Sequence, residues 1–200
     1  SGADGIIIPM VETSEQVEKI IEWIKYPPLG KRSFGVNRAQ NYGHDLVSMA
    51  NAVQENTKVV FVANPNNPTS TWVKEAELRQ FLQRVPQHVI VVLDEAYGEF
   101  MEHQDEPLVG WPNSVQLLQE FPNIIITRTF SKVYGLAALR VGYGISHPAV
   151  ADRMNRVRPP FNVNALAQAA ALAAFKDLAG LEACVEQNTK GLKQIFAGLD

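Results

Sequence analysis

The chain has 200 residues, of which 46% are hydrophobic and 20% charged, and its formal net charge is −3. This is the composition of a globular protein; it excludes a disordered or fibrous chain and offers no basic footprint for nucleic acid or an anionic membrane. A single cysteine, Cys184, excludes an internal disulfide, and the longest apolar stretch, Asn164 to Phe175, is shorter than the ~20 residues that span a bilayer. Ser1-Gly2-Ala3-Asp4 runs into Ile6-Ile7-Ile8 with neither a basic start nor a cleavage site, so a cytoplasmic location is expected. The opening without Met and the close at Asp200, just after the apolar run Leu192–Phe196, read as cut ends, and a fragment is expected.

In chain order, Gly5 to Pro9 reads as a short buried strand. Thr13 caps a following helix, with Gln16 completing a capping box, and Val17, Ile20, Ile21 and Ile24 form its apolar face. Tyr26-Pro27-Pro28-Leu29-Gly30 ends that helix, and a loop with Lys31, Arg32 and Arg38 follows to Gly43. Asp45 caps a second helix bearing Leu46, Met49 and Val53. Lys58 to Ala63 is a strand closed by the turn cluster Asn64-Pro65-Asn66-Asn67-Pro68. A helix from Val73 to Val85 presents Leu78, Phe81 and Leu82, and Val89 to Leu93 is a strand ending in Asp94-Glu95-Ala96-Tyr97. After a polar loop come a helix, Val115 to Phe121, and a strand, Ile124 to Thr127, with Ser131-Lys132 just beyond it. From Ala149 onward the pattern is helical. Such alternation predicts an α/β fold: a mostly parallel sheet with helices on its faces.

Open α/β sheets bind ligands at the carboxyl ends of their strands. Three polar clusters fall there: Asn64 to Thr71, Asp94 to Tyr97, and Thr127 to Lys132. Taken alone, the first is a rigid turn. Asp94, a carboxylate directly after four apolar residues, needs a partner and by itself reads as an acceptor for backbone donors. Lys132, set between Phe130 and Val133, reads as a desolvated lysine, the type that becomes a nucleophile and forms Schiff bases. The Arg140 guanidinium suits a phosphate, with the hydroxyls of Thr129 and Ser131 beside it, or an ion pair. His44, His88, His103 and His147 show no metal spacing, and Gly142-Tyr143-Gly144 is too short for a dinucleotide fingerprint.

In this order, Asn64-Pro65-Asn66-Asn67-Pro68-Thr69, Asp94-Glu95-Ala96-Tyr97, Arg128-Thr129-Phe130-Ser131-Lys132, Gly135 to Arg140 and Pro160-Phe161-Asn162-Val163-Asn164 resemble the large domain of a pyridoxal-phosphate aminotransferase of the aspartate-aminotransferase fold. From about Tyr42 onward the text is similar to the histidinol-phosphate aminotransferases. The resemblance implies fold type I, pyridoxal 5'-phosphate as cofactor, a phosphate-bearing amino-acid-like substrate with 2-oxoglutarate or glutamate, and a homodimer. It implies that Lys132 holds the cofactor as a Schiff base and shuttles the proton. Asp94 would pair with the pyridine nitrogen, Asn67 and Tyr97 would hydrogen-bond the phenolic oxygen, and Ala96 would pack on the ring. Thr129, Ser131 and Arg140 would hold the phosphate.

Ser70 and Ala138 stand where that family carries glycine; a Cβ there is costly if the position needs positive φ. Residues 1–43, with Ile6-Ile7-Ile8-Pro9-Met10-Val11-Glu12-Thr13 and Lys25 to Arg32, resemble instead one TIM-barrel β/α unit of the pyruvate class II aldolases, with the crossover at Tyr42-Gly43. The expected domains are therefore an aldolase-like segment, 1–43, and an aminotransferase large domain, 44–200, truncated before the small domain. By resemblance, further cofactor donors that precede the asparagine loop and the arginine that clamps the substrate carboxylate are missing. Alternative readings are a non-catalytic fragment or fusion remnant, another pyridoxal-phosphate enzyme such as a different transaminase or a threonine-phosphate decarboxylase, and a metal-dependent aldolase.

Overall fold

A computed structural model describes residues 13–24, 45–104 and 108–198. The chain divides into two compact units, Ser1–Tyr42 and Gly43–Asp200. In the first, the described element is helix α1, Ser14–Ile24. The expected capping box forms: the Gln16 N–H donates to Thr13 Oγ1 at 3.2 Å, and the Thr13 N–H donates to Gln16 Oε1 at 3.2 Å. The expected strand at Gly5–Pro9 and the loop from Tyr26 to Gly43 lie outside the described residues.

The second unit opens on α2, Leu46–Asn51, capped by Asp45, whose Oδ1 accepts from the Ser48 N–H at 2.8 Å. Four strands follow: β1, Val59–Ala63; β2, Ile90–Asp94; β3, Ile124–Thr129; and β4, Gly142–Ser146. They lie in the order β1-β2-β3-β4, the first three parallel and β4 antiparallel to β3. Helix α3, Glu75–Arg84, links β1 to β2; α4, Gly98–Glu102, and α5, Ser114–Leu117, link β2 to β3. The chain closes with α6, Pro148–Val157, α7, Ala165–Ala174, and α8, Leu178–Ala197.

Period-2 alternation sends Val62, Val91, Leu93, Ile124 and Ile126 to one face of the sheet. There they pack with Leu46, with Leu78, Phe81 and Leu82 of α3, and with Leu117 of α5. On the other face Val59 and Phe61 are exposed. A second cluster joins Phe130 and Val141 to Ala167 and Ala171 of α7, where alanine lets the helix approach the Phe130, Tyr143 and Phe175 rings. A third joins Val133 to Leu181 and Val185 of α8.

The mostly parallel α/β sheet agrees with expectation; five local features differ from it. The segment after Tyr97, expected as a polar loop, turns helical in α4. The helix expected over Val115–Phe121 is the single turn α5, capped by Asn113. The Phe121 N–H bonds back to Leu117 O at 2.9 Å, and the chain then turns so that buried Asn123 donates to Val89 O at 2.8 Å at the foot of β3. The β3 strand extends to Thr129, and β4 has no counterpart among the expected elements. Two glycines obscure β4 as a strand, yet Gly142 suits it, because a Cβ there would stand 2.7 Å from Arg128 O. The helical tail is broken into three helices begun by His147, Asn164 and Asp177.

Phe81 is 2% exposed, between α3 and the sheet. Phe81→Ala is expected to lower the unfolding free energy by about 3–5 kcal/mol. Val47→Ala, at a site 61% exposed, should change it by less than about 0.5 kcal/mol. Urea titration followed by circular dichroism measures both.

Candidate active site

The sheet brings the three polar clusters to one edge. Parallel pairing sets Ala63 beside Asp94 and Asp94 beside Thr127, so three successive strands end level. The strand ends are tied onward by Asn64 N–H to Asp94 O at 2.8 Å and Glu95 N–H to Thr127 O at 2.9 Å. Buried Asn64 secures the loop after β1, its Oδ1 accepting from the Val73 N–H at 2.8 Å and its Nδ2 donating to Val73 O at 3.4 Å. That clamp and the Asn66 N–H bond to Thr71 O at 2.8 Å hold Asn67 at the sheet edge.

Asn67 Nδ2 donates to Tyr97 Oη at 3.1 Å, and Lys132 Nζ lies 5.1 Å from the Tyr97 ring centroid. An ammonium at that distance from a tyrosine face makes a cation–π contact. Beyond β3, Thr129 Oγ1 accepts from the Ser131 N–H at 3.1 Å. Arg140 Nη1 donates to Ser131 Oγ at 3.3 Å and to Ala137 O at 2.8 Å. The Asp94 carboxylate is exposed, with Oδ1 accepting from the Ala96 N–H at 3.1 Å. Expected site residues therefore meet in two groups, Asn67–Tyr97–Lys132 and Thr129–Ser131–Arg140, joined by the segment Thr129–Lys132.

Two readings of these residues need correction. Lys132 is exposed, not desolvated: its apolar neighbours Phe130 and Val133 turn into two different clusters and leave the amine on the outer side. The buried carboxylate at the end of β2 is Glu95, 1% exposed, and not Asp94, because alternation carries every second side chain to the packed face. Glu95 accepts from Arg128 Nη2 at 2.7 Å and Nε at 3.0 Å, and Ser114 Oγ donates to its other oxygen. The Arg128 Nη1 and Nη2 groups also donate to Glu102 at 2.8 and 2.5 Å. Burial works against the Arg128 charge, but the Glu102 and Glu95 carboxylates raise it and keep it protonated. Sequence reasoning passed over this cluster, although the signal was present: the adjacent Glu95 extends the same apolar strand, and Arg128 lies in the next motif.

Glu99 of α4 is 2% exposed, its oxygens take no hydrogen bond, and its Oε1 is 3.9 Å from Arg128 Nη1. Burial pushes its carboxyl above the ordinary range; Arg128 opposes the shift, and Glu102 and Glu95 add to it. The two positions expected to favour glycine separate. Ser70 has φ +58°, a left-handed conformation, whereas Ala138 lies in the exposed 3₁₀ turn Ala137–Leu139 and is not among the positive-φ residues.

The sequence profile of the family described as aminotransferase class I and II matches residues 4–199. The chain belongs to the class I and II aminotransferases. Histidinol-phosphate aminotransferase 2 of Pseudomonas fluorescens is 55% identical over 160 residues, which are 80% of this chain and 42% of that protein. Histidinol-phosphate aminotransferase 1 of Nitrosococcus oceani is 52% identical over 157 residues, 78% of this chain and 41% of that one. This aminotransferase chain thus spans about two-fifths of the length of these curated relatives. Its structure is similar to histidinol-phosphate aminotransferase from Sinorhizobium meliloti in complex with pyridoxal-5'-phosphate, with TM-score 0.70 and 34% identity over 78% of this chain and 41% of that one. L-threonine-O-3-phosphate decarboxylase from Porphyromonas gingivalis matches with TM-score 0.52 and 25% identity, over 64% of this chain and 38% of that one.

Two outcomes follow for stability. Ser70→Gly relieves a left-handed Cβ and should add about 1 kcal/mol, while Ala138→Gly should remove about 0.5–1 kcal/mol, both read from chemical denaturation. Native Glu99 keeps its proton to higher pH than the unfolded chain, so it binds more protons there and its stability contribution falls as pH rises above the ordinary glutamate range. Glu99→Gln should flatten that fall and leave stability at pH 7 above that of the parent chain, checked by melting across pH.

Proposed function

We propose that the chain is the cofactor-binding core of a pyridoxal 5'-phosphate-dependent transaminase whose reaction exchanges an amino group between histidinol phosphate and 2-oxoglutarate in histidine biosynthesis. The observation that carries this reading is the meeting of Lys132, Tyr97 and Asn67 beside Asp94 and the Thr129–Ser131–Arg140 group, at the carboxyl ends of parallel strands. The identities to histidinol-phosphate aminotransferases support the substrate assignment. A cytoplasmic homodimer belongs to the same proposal, and no helix among the described residues is long and apolar enough to cross a membrane.

The donor set fits the cofactor. Lys132 offers an accessible primary amine, the group that condenses with an aldehyde. Exposed Asp94 supplies a carboxylate for a protonated pyridine nitrogen, and the polar ends of Asn67 and Tyr97 suit a phenolate oxygen. Thr129, Ser131 and Arg140 combine hydroxyls with a guanidinium, the chemistry that binds a phosphate dianion. Ala96 offers a small side chain, leaving room for a ring over the end of β2. When bound, the cofactor supplies an electron sink for the electrons left at the substrate α-carbon.

The protein's own part is positioning and proton handling. Asp94 would oppose the positive charge of a protonated ring nitrogen, and its bond to the Ala96 N–H fixes the direction of the carboxylate. Lys132 Nζ, as the free amine, would accept the proton from the substrate α-carbon and deliver it to the cofactor carbon two bonds away. Its perch over the Tyr97 face limits where the amine can swing. Arg140 is anchored by Ser131 and Ala137, which presents its guanidinium beside the Ser131 hydroxyl.

The origin of residues 1–43 is a separate proposal. The contact boundary at Tyr42–Gly43 supports a segment distinct from the rest, as an aldolase-like β/α unit would be. The span of the aminotransferase profile, which begins at residue 4, favours a single family throughout.

Borohydride reduction of the chain mixed with pyridoxal phosphate tests the main reading. The expected outcome is a stable mass increment on the peptide containing Lys132, absent from Lys132→Ala, with a visible absorbance band lost in the same variant. Equal labelling of both proteins would make the chain a non-catalytic remnant.

A further inference from the structure

Arg128 and Glu95 lie next to the proposed cofactor residues in sequence but on the opposite face of the sheet. Asp94 and Thr129 face the site, while Glu95 and Arg128 end the buried row of Val91, Leu93, Ile124 and Ile126. Glu95 is 1% exposed, and the Arg128 side chain is 12% exposed. The guanidinium grips Glu95 with two N–H groups and reaches Glu102 of α4, while Ser114 of α5 holds the second Glu95 oxygen. The ends of β2 and β3, the end of α4 and the start of α5 therefore converge on one largely buried cation. A two-point contact of this kind fixes geometry more than it adds stability, because its desolvation cost offsets much of the attraction.

We propose that Arg128, acting through Glu95, is the positioning residue that sets the separation between Asp94 and the Thr129–Lys132 segment, and so preorganises the site for pyridoxal phosphate. This rests on the cofactor reading above. Arg128 is one residue from Thr129, and Glu95 one residue from Asp94, so any change in their two-point contact is passed to the site by a single peptide unit. Beyond β3, the Phe130 N–H bonds to Val141 O at 3.1 Å and the Gly135 N–H to Lys132 O at 2.9 Å, giving amides that report the order of that segment directly.

The test compares the parent chain with Glu95→Gln, Arg128→Lys and the milder Ser114→Ala. Three quantities are read on each: the melting temperature, the pyridoxal phosphate dissociation constant, and hydrogen exchange by mass spectrometry. Exchange is followed in segments 94–98 and 129–136, with 59–63 and 75–84 as references. All exchange is measured well below the melting temperature of each variant. The expected result is exchange faster by about tenfold or more in the two site segments alone, with cofactor affinity weaker by a similar factor. Arg128→Lys keeps the charge but loses the fork, so it should resemble Glu95→Gln, and Ser114→Ala should show the same pattern at smaller amplitude. Exchange that rises equally in the reference segments, or does not rise in the site segments, overturns the proposal. Should Glu95→Gln not fold, Ser114→Ala decides by the same criteria. A parent chain that binds no pyridoxal phosphate would overturn the cofactor reading, and the exchange pattern would then decide alone whether the ion cluster positions the segment.

Discussion

Side-chain alternation along β2 and β3 is the constraint from which the rest of this aminotransferase chain follows. A strand presents successive residues to opposite faces, so Asp94 and Glu95 cannot serve the same environment, nor can Arg128 and Thr129. On the packed face the apolar rows end in a buried charge, which is tolerable only because Glu95, Arg128, Glu102 and Ser114 satisfy one another. On the other face the same strand ends leave a carboxylate and a hydroxyl free to meet a polar ligand. The chemistry at the sheet edge and the electrostatics beneath it are thus two outcomes of one backbone geometry.

Around that edge, each loop is held by a different device. The loop after β1 is clamped by Asn64 against Val73 and accepts a left-handed Ser70 to turn back. The segment after β3 is anchored by Phe130 in the aromatic cluster beside α7 and by Val133 against α8. Arg140 sits at φ +52°, between the 3₁₀ turn Ala137–Leu139 and β4, where the chain turns into its antiparallel return. Backbone strain at Ser70 and Arg140 lies next to the proposed ligand residues, where tertiary contacts hold conformations that the local sequence disfavours.

The parts legible in the sequence were those governed by local rules. The capping residues Thr13 and Asp45, the apolar stripe of α3, and the valine- and isoleucine-rich strands β1, β2 and β3 all follow from periodicity and from side chains that satisfy nearby backbone groups. The polar clusters could also be assigned to strand ends, since each follows an apolar run. Strand β4 was illegible because its two glycines lower strand propensity, and the demand for Gly142 arises from Arg128 O across the sheet. Helix α4 was obscured because it is too short to show a period, and α5, expected to run to Phe121, ends at Leu117.

The sequence by itself determined the fold class and which residue types stand at the ends of consecutive strands: both are properties of local order, and the ordered motifs carry the family resemblance. It could not determine the environment of each side chain. Lys132 between two apolar neighbours reads as buried, yet those neighbours go to separate clusters and leave the amine exposed. Of two adjacent carboxylates, only the sheet register decided that Asp94 faces outward and Glu95 enters the core to meet Arg128. Burial and ion pairing depend on what lies across the sheet, and that information is held in residues far apart along the chain.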